Sequence, residues 1–529
     1  MALVKISLSD LSSLAHVKLE PIEGKLAALG IPLEKQEGDE LAVEITPNRP
    51  DWLSVEGIAR SLRDFSSRQP TTYPVSHSGV EWHIEGSVRE DRPFLGSALV
   101  QGVKMADELV ASMMQLQEKL HDTLGRNRRK LAIGLHDFST VQPPFTYKTC
   151  GREEIRFAPL GSAVPMTPGQ ILSTHEKGIE FAHLVGSRCP MIVDCDGAVL
   201  SFPPIINGER TRLGSQTHGV LIDCTGTSAS AVRSAVQIVA AALAERGGRV
   251  HDVKIGGEIY PIFEPVKSPL PTGAASKLLG VKLSARDAAA HLMKMGHVVK
   301  AGVVHSPAWR ADIMHAVDLI EDIAISYGYN EFEPATPSFH SEGKSSHAFS
   351  PFHSAMLGLG YFEAQSWHLT NEKVLRAAKV DPAACMRVEN PLTEEFTTLR
   401  PALYPNLLDV LAHSRSQPMP QAIYEIGPVF SGHERTHLAF VLTHPKCNWT
   451  ELKSHICGLA QSCLVPFEFS EAEMPGLIDG RAARLSWSGE KIGFAGEVHP
   501  EVLEAFSLEQ PAALFEIELD SLLQKKAIC

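Results

Sequence analysis

Residues 310–330, RADIMHAVDLIEDIAISYGYN, read as a turn followed by a helix that ends near Gly328. On that helix Asp318, Glu321 and Asp322 fall at i, i+3 and i+4, so their carboxylates are expected on one face. Asp312 lies just upstream. Like charges this close repel, and they are tolerated in open water or beside a cation or a basic partner. Hard oxygen donors in this spacing suit Mg²⁺ better than zinc. A solvated acidic face is the other reading of the same pattern.

Working outward, 255–335 reads strand–helix–strand–helix, and the helix ARDAAAHLMKMG (285–296) is closed by Gly296. Toward the C-terminus, 336–529 alternates strands and helices as one larger α+β domain. Toward the N-terminus, 90–252 alternates short strands with the helices ELVASMMQLQEKLHDTLG (108–125) and SASAVRSAVQIVAAALAERGG (228–248). The polar run SSRQPTTYPVSHSG (66–79) reads as a linker across 70–90. Residues 1–75 form a small α/β unit. There Leu41, Val43 and Ile45 alternate as a strand, Asp51 occupies an N-cap position, and Leu53, Ile58, Ala59 and Leu62 follow at helical spacing. The fold class expected is α+β and multidomain.

The chain has 529 residues, 44% of them hydrophobic and 21% charged, which suits a soluble globular protein with a large core. A net charge of −13 argues against a generic nucleic-acid coat and leaves room for one local basic patch. The nine cysteines include no CxxC pair, so a zinc or disulfide framework is not expected and a reducing, cytoplasmic setting is. The N-terminus does not read as a signal peptide, and no apolar run approaches the roughly 18–20 residues of a membrane span. GxxxxGK[ST], HExxH and GxSxG patterns are absent, so independent nucleophilic or P-loop chemistry is not expected.

Several segments in fixed order resemble one family. They are TPNRPDWLSVEGIAR (46–60), RKLAIGLHDF (129–138) with PPFTYK (143–148), FPPIINGERT (202–211), the 310–330 stretch, and NPLTEEFTTLRPAL (390–403) with YEIG (424–427). Together they resemble the β chains of phenylalanyl-tRNA synthetases, of the archaeal and eukaryotic type, over roughly 1–520. The resemblance implies a 1–75 N-terminal domain, a 90–252 editing and tRNA-contact domain, and a winged-helix-like 255–335 domain. It implies a 336–529 domain with the class II synthetase fold. An inserted oligonucleotide-binding module and a C-terminal anticodon-binding extension are not expected. In such chains the positions matching Asp312, Asp318, Glu321 and Asp322 are associated with Mg²⁺.

In a catalytic class II core, arginines grip the ATP phosphates, because a planar guanidinium pairs with phosphate bidentately. Here Phe430 is followed by Ser431-Gly432-His433-Glu434, and Asp479-Gly480-Arg481 lacks a glycine series. The C-terminal domain is therefore expected to be pseudo-catalytic, with no catalytic residue for aminoacylation. The resemblance further implies an α2β2 heterotetramer. Its α subunit would bind ATP and phenylalanine, tRNA(Phe) would be the common substrate, and no membrane or DNA partner is expected.

For the hydrolysis of mis-attached tyrosine that the family performs, the candidates are Asp223, Thr225, Leu200 and Ser201, with Asn207-Gly208-Glu209 as a rim loop. His136 is the candidate to orient a water or the substrate ester; a packed structural histidine is the other reading. Basic residues also cluster at Arg126, Arg128, Arg129 and Lys130, a pattern that is more often a solvated loop. A free-standing editing hydrolase and a retired synthetase core acting only in assembly are the competing functions.

A chain this acidic should bind tRNA weakly by itself. Filter binding should show an affinity that falls steeply with salt, whereas tight, salt-insensitive binding would contradict the charge argument.

Overall fold

A computed structural model describes residues 2–17, 21–67, 69–336 and 348–522. It is a mixed α/β, multidomain chain that separates into two compact units, Met1–Thr336 and Pro337–Cys529. The two ends of the expected 336–529 domain, and Cys529, lie outside the described residues. No helix among the described residues is long and apolar enough to cross a membrane.

The first unit begins with a three-stranded antiparallel sheet. Glu40–Ile45 is its central strand, between Ala2–Ser7 and Leu33–Glu37, and it buries Leu41, Val43 and Ile45 in the alternation the sequence predicts. The chain then turns through Pro50–Trp52 into the helix Val55–Ser67. Asp51 is not the cap of that helix. Its carboxylate is buried and takes both Arg49 Nε (2.9 Å) and an Arg49 Nη (2.8 Å). Ser54 Oγ accepts from Gly57 N instead, at 3.4 Å. Gly57 is needed for close approach, because a Cβ there would fall 1.6 Å from the Asp51 carbonyl oxygen.

A ten-stranded mixed sheet forms the middle of the unit. The strand Val75–Ile84 replaces the linker expected over 70–90. It pairs in parallel with Arg249–Ile255 on one side and Phe145–Cys150 on the other. Its Val80 and Trp82 enter the core, while the exposed and half-buried residues around them, such as Ser76, His77 and Glu81, give the segment its polar composition. The sheet therefore starts at 75 rather than 90, and it runs through Glu258–Tyr260 rather than stopping at 252. Ala229–Glu245 is small-residue-rich because it lies close on the sheet: Gly96 sits where a Cβ would meet Val232 at 2.9 Å. Residues 266–327 add a three-stranded antiparallel sheet and three helices, Thr272–Leu279, Ala285–Lys294 and Ala316–Tyr327.

A buried ionic network joins these parts of the first unit. The Arg310 guanidinium meets Asp322 at 2.8 Å and Asp312 at 2.7 Å, and Asp322 Oδ2 accepts from His297 Nε2 at 2.6 Å. Burial works against the charge on Asp51, but the Arg49 charge and hydrogen bond, with the charge of Arg310 adding to them, hold its carboxyl below the ordinary range. Arg60 reaches Asp51 at 3.8 Å and lies over the Trp309 ring at 4.7 Å. The segments 49–60 and 309–322 thus meet through the Arg60–Trp309 contact, with the Arg310 charge acting on Asp51 at longer range.

The second unit is built on a seven-stranded sheet. Gln421–Phe430, Glu434–Thr443, Ala512–Glu518, Glu490–Val498, Leu477–Trp487 and Glu468–Glu471 are antiparallel neighbours in that order, and Phe362–Glu363 adds a parallel edge. Along Glu434–Thr443, Leu438, Phe440 and Leu442 enter one core with the helices Ser350–Gly358 and Trp449–Cys463. Ala439 and Val441 enter the other, with Tyr404–His413. The strand is covered on both faces, which is why it reads as a continuous apolar run.

Arg310→Met should destabilise the first unit by about 3–5 kcal/mol in denaturant titration, because it strands buried carboxylates without their cation. A loss below about 1 kcal/mol would mean that the network is solvated.

Burial pushes the Asp64 carboxyl up to about 6, against the Thr71 hydrogen bond and the charges of Arg60 and Arg63. The folded state therefore keeps this proton. The stability contributed by Asp64 is full below about pH 4 and is lost as pH rises through about 6. Asp64→Asn should gain about 2–3 kcal/mol relative to the parent between pH 4 and 7. A difference independent of pH would refute this.

Candidate functional site

The first unit encloses a cavity of about 390 Å³ between the large sheet, the helix Asp107–Asp122 and the 202–213 loop. The strand Gly219–Gly226 supplies Asp223, Val199–Phe202 supplies Ser201, and the helix supplies Gln117, Glu118 and His121. Asp223 Oδ2 is held by His136 Nε2 at 2.5 Å and by Ser201 Oγ at 3.3 Å. His136 Nδ1 is 2.8 Å from Thr211 Oγ1. Gly134 makes room for this pair, since a Cβ there would stand 2.3 Å from Asp223 Oδ2 and 2.6 Å from His136 Nε2.

Of the expected editing residues, Asp223, Ser201 and Asn207 line the cavity. Three others do not. His136 is wholly buried and anchors Asp223 from beneath. Thr225 instead receives Arg92, through Oγ1 at 3.4 Å and through its carbonyl at 2.8 Å. Leu200 points to the opposite face of its strand from Ser201 and packs in the core with Trp82 and Tyr147. In the expected rim loop, Gly208 and Glu209 do not line the cavity either; the Glu209 carboxylate caps Gly161 N at 2.7 Å.

The helix side of the cavity was missed in the sequence. Gln117 and His121 are polar residues at i, i+4 on an otherwise apolar buried face, and that is the signal that could have found them. Gln117 Nε2 donates to the Ile133 carbonyl at 2.8 Å, and its Oε1 is buried without a partner among the described residues. Burial works against the Glu118 carboxylate, but the His121 hydrogen bond and the Arg128 charge outweigh it and bring it to about 2. Burial and the same guanidinium push His121 down.

Arg128 is not part of a solvated loop. Its guanidinium donates to the carbonyls of Pro204 (3.1 Å) and Ile205 (2.9 Å), pairs with Glu118 at 2.9 Å and lies over Phe181 at 4.4 Å. Arg126, Asn127 and Arg128 hold φ of 48°, 53° and 63°, a strained run that persists because this wall fixes it.

The acidic positions Asp312, Asp318, Glu321 and Asp322 do not converge on a common point suited to Mg²⁺. Asp312 and Asp322 are occupied by the Arg310 guanidinium, which stands where a cation would. Asp318 Oδ2 caps its own helix, accepting from Met314 N at 2.8 Å and His315 N at 2.6 Å. Glu321 is exposed. Helical spacing put Asp318 and Asp322 on one face, but the burial of Asp322 against Arg310 turned that face into an interior contact. The donor set does not fit Mg²⁺ as it stands.

In the second unit Arg400 is buried and fully engaged, by Glu425 at 2.6 Å, Ser366 Oγ at 2.8 Å and the Pro428 carbonyl at 2.8 Å. It is not free to grip a phosphate. Arg481 pairs with Glu497 at 2.8 Å.

Comparison with known proteins shows the family. The phenylalanine–tRNA ligase β subunit of Methanosarcina barkeri is 38% identical over 546 residues, covering 99% of each chain. The chain belongs to the phenylalanyl-tRNA synthetase β-subunit family. The β subunit of Archaeoglobus fulgidus is likewise 38% identical, with 98% of each chain covered. Family models for the phenylalanyl tRNA synthetase beta chain CLM domain and the tRNA synthetase B5 domain match residues 313–519 and 269–329. A crystal structure of an N-terminal fragment of the Pyrococcus horikoshii β subunit superposes with a TM-score of 0.59 at 34% identity. It covers 62% of this chain and all of the fragment.

Removing the Arg128 guanidinium should open the cavity wall. Arg128→Ala should speed amide exchange selectively in 126–130 and 202–206, and unchanged exchange there would contradict its bracing role.

Proposed function

We propose that this β subunit works in an α2β2 phenylalanine–tRNA ligase in the cytoplasm. Its α subunit binds ATP and phenylalanine and charges tRNA(Phe), while this chain hydrolyses tyrosine wrongly attached to that tRNA. The observation that carries the editing part is the cavity at Asp223. Its walls are largely apolar, as an aromatic side chain requires, and Gln117 Oε1 is a buried acceptor in need of a donor. A polar site that bonds a hydroxyl rejects the analogue lacking it far better than an apolar pocket rejects the hydroxyl. A tyrosyl hydroxyl would satisfy Gln117, and phenylalanine would leave it unpaired.

The chemistry needed is ester hydrolysis. A water attacks the carbonyl, the bond to the ribose oxygen breaks, that oxygen takes a proton, and tyrosine leaves as its carboxylate. Asp223, fixed by His136 and Ser201, is the positioned carboxylate available to orient the water.

The second unit is proposed to be a class II synthetase core retained for assembly. Its antiparallel sheet with one parallel edge strand supports that reading, as does the engagement of Arg400. The N-terminal domains are proposed to contact tRNA.

In the assembled enzyme, Gln117→Ala and Asp223→Ala should each slow deacylation of Tyr-tRNA(Phe) at least about tenfold, the worth of one hydrogen bond of about 1.4 kcal/mol. Phenylalanine charging should be unchanged. Deacylation at the parent rate in both variants would overturn the site.

A further inference from the structure

The strand Glu434–Thr443 of the second unit ends at a tight turn, 444–448, that leads into the helix Trp449–Cys463. Three side chains converge there, in the spacing His-x2-Cys-x3-Glu. His444 Nε2 lies 2.8 Å from Glu451 Oε2. With Cys447 Sγ, the donor atoms of the three residues all fall within 4.8 Å of one another. Among the described residues it is the one group of histidine, cysteine and carboxylate donors brought this close. His444 and Glu451 also line a surface depression with His455, one helical turn beyond Glu451. Nothing in the editing or assembly roles uses these groups.

We propose that His444, Cys447 and Glu451 bind a zinc-class divalent ion, with solvent in the fourth position. The donor set decides the metal. Thiolate and imidazole together select a borderline-soft ion that accepts tetrahedral geometry, and they disfavour Mg²⁺ and Ca²⁺. The spacing also suits zinc. Ligands at 2.0–2.3 Å from a tetrahedral centre stand roughly 3–4 Å apart, so an ion entering here parts the 2.8 Å His444–Glu451 pair slightly while the Cys447 sulfur, within 4.8 Å, stays in reach.

On binding, the Cys447 thiol releases its proton to solvent and gives up its 3.4 Å contact to the Leu442 carbonyl. The His444 proton moves from Nε2 to Nδ1, replacing the long 3.3 Å contact from Lys446 N. Cys447 packs in the same core as Leu452, Ile456 and Phe440. The ion would therefore clip the strand end to the first turn of the helix. This is a structural role independent of the proposed editing site.

The test uses the full chain, stripped with chelator and dialysed, with Co²⁺ and Zn²⁺ alone as probes. One Co²⁺ per chain should bind, giving the strong visible bands of tetrahedral cobalt and a thiolate-to-cobalt charge-transfer band. Zn²⁺ should displace it and raise the thermal midpoint. Cys447→Ser should abolish the charge-transfer band. His444→Asn, which removes one ligand from a half-buried position, should weaken Zn²⁺ at least about tenfold. Three results would each overturn the proposal: no ion retained after gel filtration, a charge-transfer band that survives Cys447→Ser, or parental affinity in His444→Asn.

Discussion

The buried guanidinium of Arg310 is the contact on which the first unit most depends. A cation of this kind is costly to remove from water, by several kcal/mol even after relaxation, and is tolerable only among well-placed carboxylates. Asp312 and Asp322 supply them directly, and Asp51 supplies a longer-range charge from a segment some 260 residues earlier. Burial opposes the charge on Asp322, yet Arg310 and His297 hold its carboxyl down at about 2. The segments 46–60 and 310–330 thus each pair their own charges, Arg49 with Asp51 and Arg310 with Asp312 and Asp322, and they feel each other through the longer-range attraction of Arg310 for Asp51. Trp309, between Arg60 and Tyr73, seals the contact from water.

These buried ion pairs explain what could be read from the sequence and what could not. Periodicity located the strand Glu40–Ile45 and the helices Val55–Ser67 and Ala229–Glu245, because those elements bury one repeating face. It placed Asp318, Glu321 and Asp322 along one helix. It could not say that Arg310 would fill the space between two of the carboxylates, since a guanidinium and a metal ion satisfy acidic residues by the same electrostatics. Asp51 was misread for a related reason: an acidic residue just ahead of a helix fits a cap, and only the tertiary partner shows otherwise. Val75–Ile84 was hidden by its exposed, polar side chains. Its hydrogen bonds come from two long-range parallel neighbours, which leave little local pattern.

At the cavity lined by Asp223, residue types were legible and directions were not. Asp223 and Ser201 lie on strands whose alternation sends them toward the cavity, while Leu200 faces away and Thr225 serves Arg92. Gln117, Glu118, His121 and Arg128 come from a helix and a left-handed turn distant in sequence from the strands they complete. In the second unit the lack of free phosphate-gripping arginines was visible as missing residues. The structure adds that Arg400, an arginine that is present, is consumed in holding Glu425 and the Pro428 carbonyl.

The central claim is that this chain supplies proofreading and assembly while a partner supplies the ligase chemistry. Co-expression with an α subunit, followed by size determination and a phenylalanine charging assay, tests it most directly. The account predicts a heterotetramer, charging only when both chains are present, and none by this chain alone. A stable monomer that ignores the α subunit, or phenylalanine charging by this chain unaided, would contradict it.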